Sequence, residues 1–305
     1  MLNEAMENYL EIRRSGGYKL VDTEELLRSC LSFVAGRGER LLRTQTVIEW
    51  AKLGTSVGRC ERRLRTIGFF VDYLRVENPR HTVMPRGLFS TDKVHRHPPR
   101  IFTREEIVRV LNLTDVLASR GSIRPLTYRT LFGLLFVTGM RISEALALCL
   151  TDIEPAGLLI RQTKFSKSRQ LPLHPSTAAI LDTYLIARRT VFTRSDRLFL
   201  TWCGRRPLSR KTVLPTFQML CEKAGIEGAG GRRKPRLHDL RHSFAVHALE
   251  RCEAERDVVE QHMLALSTYL GHSSPTSTHW YLEQTPQLMR GIATACEAAQ
   301  CGDHS

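Results

Sequence analysis

Residues 237–249 read LHDLRHSFAVHAL, and the reading of this stretch organises everything around it. It patterns as a helix over about 237–250. His238 and Arg241 stand three apart, so an imidazole and a guanidinium leave one helical face together. Helical histidines are commonly just packed or solvated, so the pair is suggestive and no more. Upstream, residues 229–236 (AGGRRKPR) form a glycine- and arginine-rich loop carrying Arg232, Arg233, Lys234 and Arg236. Downstream, a helix over about 262–270 closes on Gly271, with His272 next and Tyr281 nine residues further on. Singly, His272 complements a helix dipole and Tyr281 anchors a core.

Working further upstream, two short strands, Leu158 to Thr163 and Gln170 to Leu173, bracket Lys164-Phe165-Ser166-Lys167-Ser168-Arg169 and predict a β-hairpin. Before it, a helix from about Pro125 to Val137 breaks at Thr138-Gly139. Arg141 follows that break, and another helix starts near Ile142. Thr103 and Glu106 form a capping box that opens the first helix of this half. Further helices are expected at about 176–189, 209–224 and 285–299. The fold class is therefore mainly α with a small antiparallel β-sheet.

The first quarter of the chain reads as helices alone. One segment, capped at Thr23 and closed by Gly36, puts Leu26, Leu27, Cys30, Leu31 and Val34 on one face. A second runs from Thr46 to Leu53. The clearest, Ser56 to Val76, steps Val57, Cys60, Leu64, Ile67, Val71 and Leu74 by three and four, with Arg59, Arg62, Arg63, Arg65 and Arg75 on its other faces. Residues 78–100, proline-bearing and without periodicity, read as a linker.

Charge points to the partner. Of 305 residues 45 are Lys or Arg against 31 Asp or Glu, a formal +14 made mostly of arginine, whose fixed fork suits phosphate. Both halves are cationic, +5 over residues 1–99 and +9 over 100–305, so the partner is expected to contact both. No apolar run is long enough to span a bilayer, and the acidic start MLNEAMENYL is no secretory signal. The eight cysteines hold no C-x-x-C pair, and a zinc site from Cys203, Cys221 and a histidine lacks ligand spacing. A cytoplasmic, reduced protein without metal is expected. Walker-type and dinucleotide glycine loops are absent, as are paired acidic metal motifs.

Taken together, the order T-G-x-R, a hairpin lysine, H-x-x-R, L-G-H and a tyrosine nine residues on resembles the tyrosine recombinase (phage integrase) family, most nearly its Xer-like members. The resemblance runs through TGMRISEALAL (138–148), TKFSKSRQLPLH (163–174), LHDLRHSFAVHAL (237–249) and YLGHSSPTSTHWYLEQT (269–285), and more loosely through RRLRTIGFFVDYLRVENP (62–79). It implies an all-helical core-binding domain over 1–79, a linker over 80–100, an α+β catalytic domain over 101–286 and a C-terminal helix or tail over 287–305. It also implies roles. Tyr281 would be the nucleophile, forming a 3′-phosphotyrosine and freeing a 5′-hydroxyl. Arg141 and Arg241 would clamp the scissile phosphate, His272 would hydrogen-bond it, and His238 would move a proton or position the phosphate. Lys164 would protonate the leaving oxygen, with Lys167 as its rival; where the family has glycine about that lysine, this chain has Thr163-Lys164-Phe165. Duplex DNA recombination sites are the implied partner, with Arg59, Arg62, Arg63, Arg232, Arg233, Lys234 and Arg236 expected along the backbone. A homo- or hetero-tetramer on DNA is implied, the C-terminal helix docking on a neighbour or packing in cis. No cofactor and no membrane are implied.

The chemistry is consistent with that cast. A free tyrosine, with a pKa of about 10, is ionised about once in a thousand at pH 7, and cationic neighbours raise that fraction. Phosphoryl transfer needs positioning and charge stabilisation, both within reach of fixed guanidinium groups. The phosphotyrosine conserves the bond, so religation needs no ATP. A type IB topoisomerase would share this chemistry on one duplex, but the small N-terminal region and Xer-like spacing argue against it. A pure DNA binder would not need the tyrosine, and a membrane-surface protein would carry a basic amphipathic helix with exposed aromatics.

Overall fold

A computed structural model describes residues 2–18, 20–89, 98–119, 121–161, 168–201, 206–228, 234–251 and 256–271. Lys164, Lys167, Arg232, Arg233, His272, Tyr281 and the expected helix at 285–299 lie outside the described residues. The chain divides into two compact units, Met1–Arg96 and His97–Ser305.

The first unit is helical: α1 (Leu2–Ser15), α2 (Val21–Ala35), α3 (Thr44–Lys52) and α4 (Val57–Glu77). Its core is built on Leu27, Cys30, Val34, Trp50, Leu64, Ile67 and Phe70, every one buried. Tyr9 and Phe70 add an aromatic contact at 5.3 Å between ring centres, closing α1 onto α4. Helix α4 begins where Ser56 accepts a hydrogen bond from the Arg59 amide, satisfying one of the amides that a helix start leaves unpaired. Two details differ from the sequence reading. Val57 is 53% exposed, and Phe70 occupies the core face instead, because a register that buries Leu64, Ile67 and Val71 turns position 57 outward. Helix α2 starts at Val21, ahead of Thr23, after a turn through Leu20 at φ 49°.

Residues 78–89, read from sequence as linker, are fastened to this unit. The Leu42 amide donates to His81 Nδ1 at 3.1 Å, and the Thr82 amide donates back to the Leu42 carbonyl at 3.1 Å. Met84 is buried, and the amides of Gly87 and Phe89 both donate to the Glu61 carboxylate at 3.1 Å. A segment without periodicity can still be ordered when its backbone groups find partners elsewhere in the fold.

The second unit holds α5 (Arg104–Asn112), a 3₁₀ turn Leu113–Leu117, α6 (Arg124–Thr138), α7 (Ile142–Ala147), then strands β1 (Ile153–Glu154), β2 (Gly157–Ile160) and β3 (Arg169–Leu171). After the sheet come α8 (Pro175–Arg189), α9 (Arg210–Lys223), α10 (Leu237–Leu249) and α11 (Arg256–Leu270). The strands form one antiparallel sheet in the order β1-β2-β3, with Leu158 opposite Leu171 and Ile160 opposite Arg169. The two-residue β1 was too short to read from sequence. At the head of α5, Thr103 Oγ1 accepts from the Glu106 amide and Glu106 accepts from the Thr103 amide, a reciprocal cap. Helices α6 and α10 run through the core. Eight residues of α6 and nine of α10 are buried, so neither carries a simple two-faced pattern. Phe217 of α9 lies between Phe102 and Phe132, with ring centres 5.9 and 5.1 Å away and the rings tilted against one another. Among the described residues, no helix is long and apolar enough to cross a membrane, and no group of acidic, histidine or cysteine side chains is arranged to hold a metal.

Candidate active site

The site is assembled around one break in the chain. Helix α6 ends at Gly139, whose φ of 60° lets the backbone reverse while its amide still reaches the Leu135 carbonyl at 3.1 Å. That reversal delivers Arg141 to the start of α7. The Arg141 amide donates to Glu144 Oε2 at 2.8 Å, and its Nη1 donates to Glu144 Oε1 at 2.8 Å. The Glu144 carboxylate thus satisfies the helix start and holds the guanidinium at one point. A second point is the Gly271 carbonyl, which accepts from Arg141 Nη2 at 3.1 Å.

Arg241 arrives from α10, one turn into the helix and 2% exposed. Its Nη1 donates to the Gly139 carbonyl at 2.8 Å and its Nη2 to the Leu270 carbonyl at 2.9 Å. Two arginines a hundred residues apart in sequence therefore dock on the consecutive carbonyls of Leu270 and Gly271. Those carbonyls belong to the end of α11, where a helix carries its negative dipole end and unpaired acceptors. A guanidinium has five N–H groups; among the described residues, Arg141 uses only two of its side-chain donors in these contacts. Its side chain stays 32% exposed, so one edge faces outward.

His238 lies three residues ahead of Arg241 on α10, with its ring edge-on to His242 at 4.5 Å. Its pKa is pushed down to about 4, first because the surrounding protein crowds solvent from the ring, then because Arg241 repels a second positive charge; Asp239 opposes this, and Arg141 and Arg236 add smaller repulsions. At neutral pH His238 is a neutral imidazole, able to accept a proton. The head of α10 is secured by Asp239, buried at 2%, which accepts from the Arg236 amide at 2.8 Å and from Arg236 Nη2 at 2.7 Å. Arg236 is therefore committed to the helix start with half its side chain still accessible. Lys234 sits 3.7 Å from Glu222 in an exposed pair.

Sequence reasoning missed two members of this cluster, Glu144 and Arg169. Arg169 opens β3 and grips Glu144 with both ends of its fork, Nη1 to Oε1 at 3.1 Å and Nη2 to Oε2 at 2.8 Å. Burial acts to raise the Glu144 pKa, but donors from Arg169 and Arg141 outweigh it and hold the carboxyl below the ordinary glutamate range. The only local signal was the placing of Glu144 three residues after Arg141, the spacing by which a helix start is capped.

The arginines of the first unit differ in their surroundings. Arg59 is exposed on α4. Arg62 pairs with Asp22 at 2.6 Å, both accessible. Arg63 donates to the Trp50 carbonyl at 3.1 Å and lies 4.9 Å over the Trp50 ring, so it is held by packing.

A family model described as the phage integrase family matches residues 100–287. A Sinorhizobium fredii protein named as integrase/recombinase y4rB is 37% identical over 94% of both chains. The tyrosine recombinase XerC of Myxococcus xanthus is 31% identical over 76% of this chain and 73% of its own. Among solved structures, the XerH site-specific recombinase bound to palindromic difH substrate in a post-cleavage complex superposes with a TM-score of 0.62 at 22% identity, covering 84% of this chain and 73% of that one. A lambda integrase dimer bound to a core site gives a TM-score of 0.61 at 18% identity, over 92% and 76% of the two chains. At those identities the structural likeness speaks for the fold.

Proposed function

The chain belongs to the phage integrase family of tyrosine recombinases, and from that premise we propose that it is a site-specific DNA recombinase that cuts and rejoins duplex DNA through a 3′-phosphotyrosine. The observation that carries this reading is the convergence of Arg141 and Arg241 on the carbonyls of Leu270 and Gly271, the two residues that precede His272 in the chain. Two fixed positive charges at one end of α11 form a receptor for a single phosphate diester.

In this scheme the phenolic oxygen of Tyr281 attacks the scissile phosphorus while the bond from phosphorus to the 5′ oxygen breaks. Arg141 and Arg241 carry the charge that grows on the non-bridging oxygens, and His272 adds a hydrogen bond. His238, its ring neutral near pH 7, assists the proton transfer or positions the phosphate. Lys164, with Lys167 as the alternative donor, gives a proton to the departing 5′ oxygen. Reversal of these steps with a different 5′-hydroxyl rejoins the strand, and neither ATP nor metal enters the balance.

The core-binding unit is assigned to residues 1–79 with the segment 80–89 fastened on it, and the catalytic unit to 101–286, the rest of 80–100 joining them and the tail 287–305 available for contact between protomers. Exposed Arg59 and Arg62 on one unit, and Lys234, Arg236 and their neighbours Arg232 and Arg233 on the other, are assigned to the DNA backbone. Arg63 is the weakest member of that set, since Trp50 already occupies it. The working form is a tetramer on paired sites, and with chromosomal or element DNA as substrate the place of work is the cytoplasm. Lambda integrase has been seen as a tetramer on a Holliday junction, which supports that assembly.

The test is a nicked suicide duplex carrying the recombination site, incubated with wild-type and Tyr281→Phe protein. A denaturant-resistant protein–DNA adduct is expected from the wild type, and none from the variant although it still binds DNA. An adduct from Tyr281→Phe would remove Tyr281 from the role of nucleophile. Affinity should fall by about 0.9 log unit per log unit of salt for each phosphate neutralised. A flat salt profile would contradict the backbone contacts.

A further inference from the structure

We propose that Arg169 is a positioning residue for strand cleavage, one that leaves the Arg141 charge available to the phosphate by occupying the Glu144 carboxylate. The inference rests on the recombinase reading of the same site and adds a residue to which that reading gives no part.

Glu144 is 9% exposed, and three groups compete for its two oxygens: the Arg141 amide, Arg141 Nη1, and both ends of the Arg169 fork. A bidentate arginine fork on a carboxylate is among the strongest pairings available to side chains. With Arg169 in place, two guanidinium charges face one carboxylate and a net positive charge remains for an anion. Without it, Glu144 and Arg141 become a neutral pair in a poorly hydrated setting. Arg141 is then free to give Glu144 a second side-chain hydrogen bond, turning its fork away from the Gly271 carbonyl.

Position reinforces charge. Arg169 is 13% exposed, and a methyl built on Gly271 would fall 2.9 Å from its Nη1 and 3.3 Å from its Cζ. The Arg169 side chain therefore lies against the residue whose carbonyl holds Arg141, next in sequence to His272. It also opens β3, two residues after Lys167 and five after Lys164. From the head of β3, one side chain thereby touches both Gly271, the residue before His272, and Glu144 at the start of α7.

The experiment measures adduct formation at saturating suicide duplex, together with DNA affinity, for wild type, Arg169→Met, Arg169→Lys and Arg169→Met/Glu144→Gln. Arg169→Met should slow the first-order cleavage step by about a hundredfold, the loss typical for one donor to a developing oxyanion, while affinity changes less than about threefold. Arg169→Lys, which keeps the charge, should stay within about tenfold of wild type. Adding Glu144→Gln to Arg169→Met removes the uncompensated carboxylate and should restore at least about tenfold, a rescue that a scaffold role cannot produce. Wild-type speed in Arg169→Met, or a double variant no faster than the single, overturns the proposal while leaving the recombinase reading intact. Failure of both single variants to fold makes Arg169 a scaffold residue and overturns it too. Absence of an adduct from the wild type would overturn the recombinase reading, and this proposal with it.

Discussion

Replacing Gly139 by alanine should damage both the stability and the chemistry of this protein, by an amount the structure allows to be worked out. Two costs combine. At φ 60° an L side chain sits in the left-handed region, at about 1–2 kcal/mol. The new methyl would also lie 2.5 Å from Phe244 Cδ1 and 3.0 Å from Leu270 Cδ2, far inside contact distance. Phe244 cannot step aside cheaply, because it stacks on Tyr269 with ring centres 5.5 Å apart. Overpacking of this kind costs about 1–3 kcal/mol, giving a total of about 2–5 kcal/mol. Gly225 supplies the control. Its φ of 68° imposes the same backbone strain, but nothing lies within 4 Å of its Cβ position. Gly225→Ala should therefore cost about 1–2 kcal/mol. Calorimetry on the full chain reads the difference, at about 2–4 °C per kcal/mol for a unit of this size. Because the Gly139 carbonyl accepts from Arg241, the alanine variant should also form the phosphotyrosine adduct at least about tenfold more slowly. Equal melting shifts for the two variants would refute the packing argument. A normal adduct rate in a destabilised Gly139→Ala would refute the link from this turn to Arg241.

Three further outcomes can be checked with the same protein. His238 takes up its proton at about 4 when folded and near 6.5 when unfolded, so the unfolded chain protonates first as pH falls. The stability tied to its neutral ring should therefore be whole above about 6.5 and lost by about 4; urea titrations at pH 7 and pH 5 should show His238→Gln losing less stability than wild type, and equal losses would contradict the assignment. Thr103→Ala removes half of a reciprocal cap and should cost about 1 kcal/mol in urea unfolding, with no loss at all counting against the cap. Burial pushes the thiols of Cys30 and Cys221 up to about 12. Iodoacetamide at pH 8 should leave both unmodified until urea is added, and rapid labelling of the native chain, read by peptide mass spectrometry, would contradict their burial.

Much of the fold is written in interactions that span four residues or fewer. The heads of α4 and α5 follow from Ser56 and from the Thr103–Glu106 pair, and the end of α6 follows from Gly139, because caps and left-handed turns are local. The same holds for Arg141, Arg241 and His238: their residue types and short spacings carry a chemical meaning before any packing is known. What escaped was long-range. Nothing in positions 78–89 announces that His81 accepts from the Leu42 amide, and nothing in Val57 or Phe70 says which will face the core until α4 meets α2 and α3. The docking of Arg141 and Arg241 on the carbonyls of Gly271 and Leu270 was equally hidden. Every residue has a carbonyl, so an acceptor at the end of a distant helix leaves no mark in the amino-acid order. Arg169 and Glu144, 25 residues apart in sequence, likewise became partners only when β3 was laid beside the start of α7. The order of motifs along the chain was enough to show a family resemblance and, through it, to imply a reaction, and the packing of α6, α10, α11 and β3 set how the charges of the candidate site are shared.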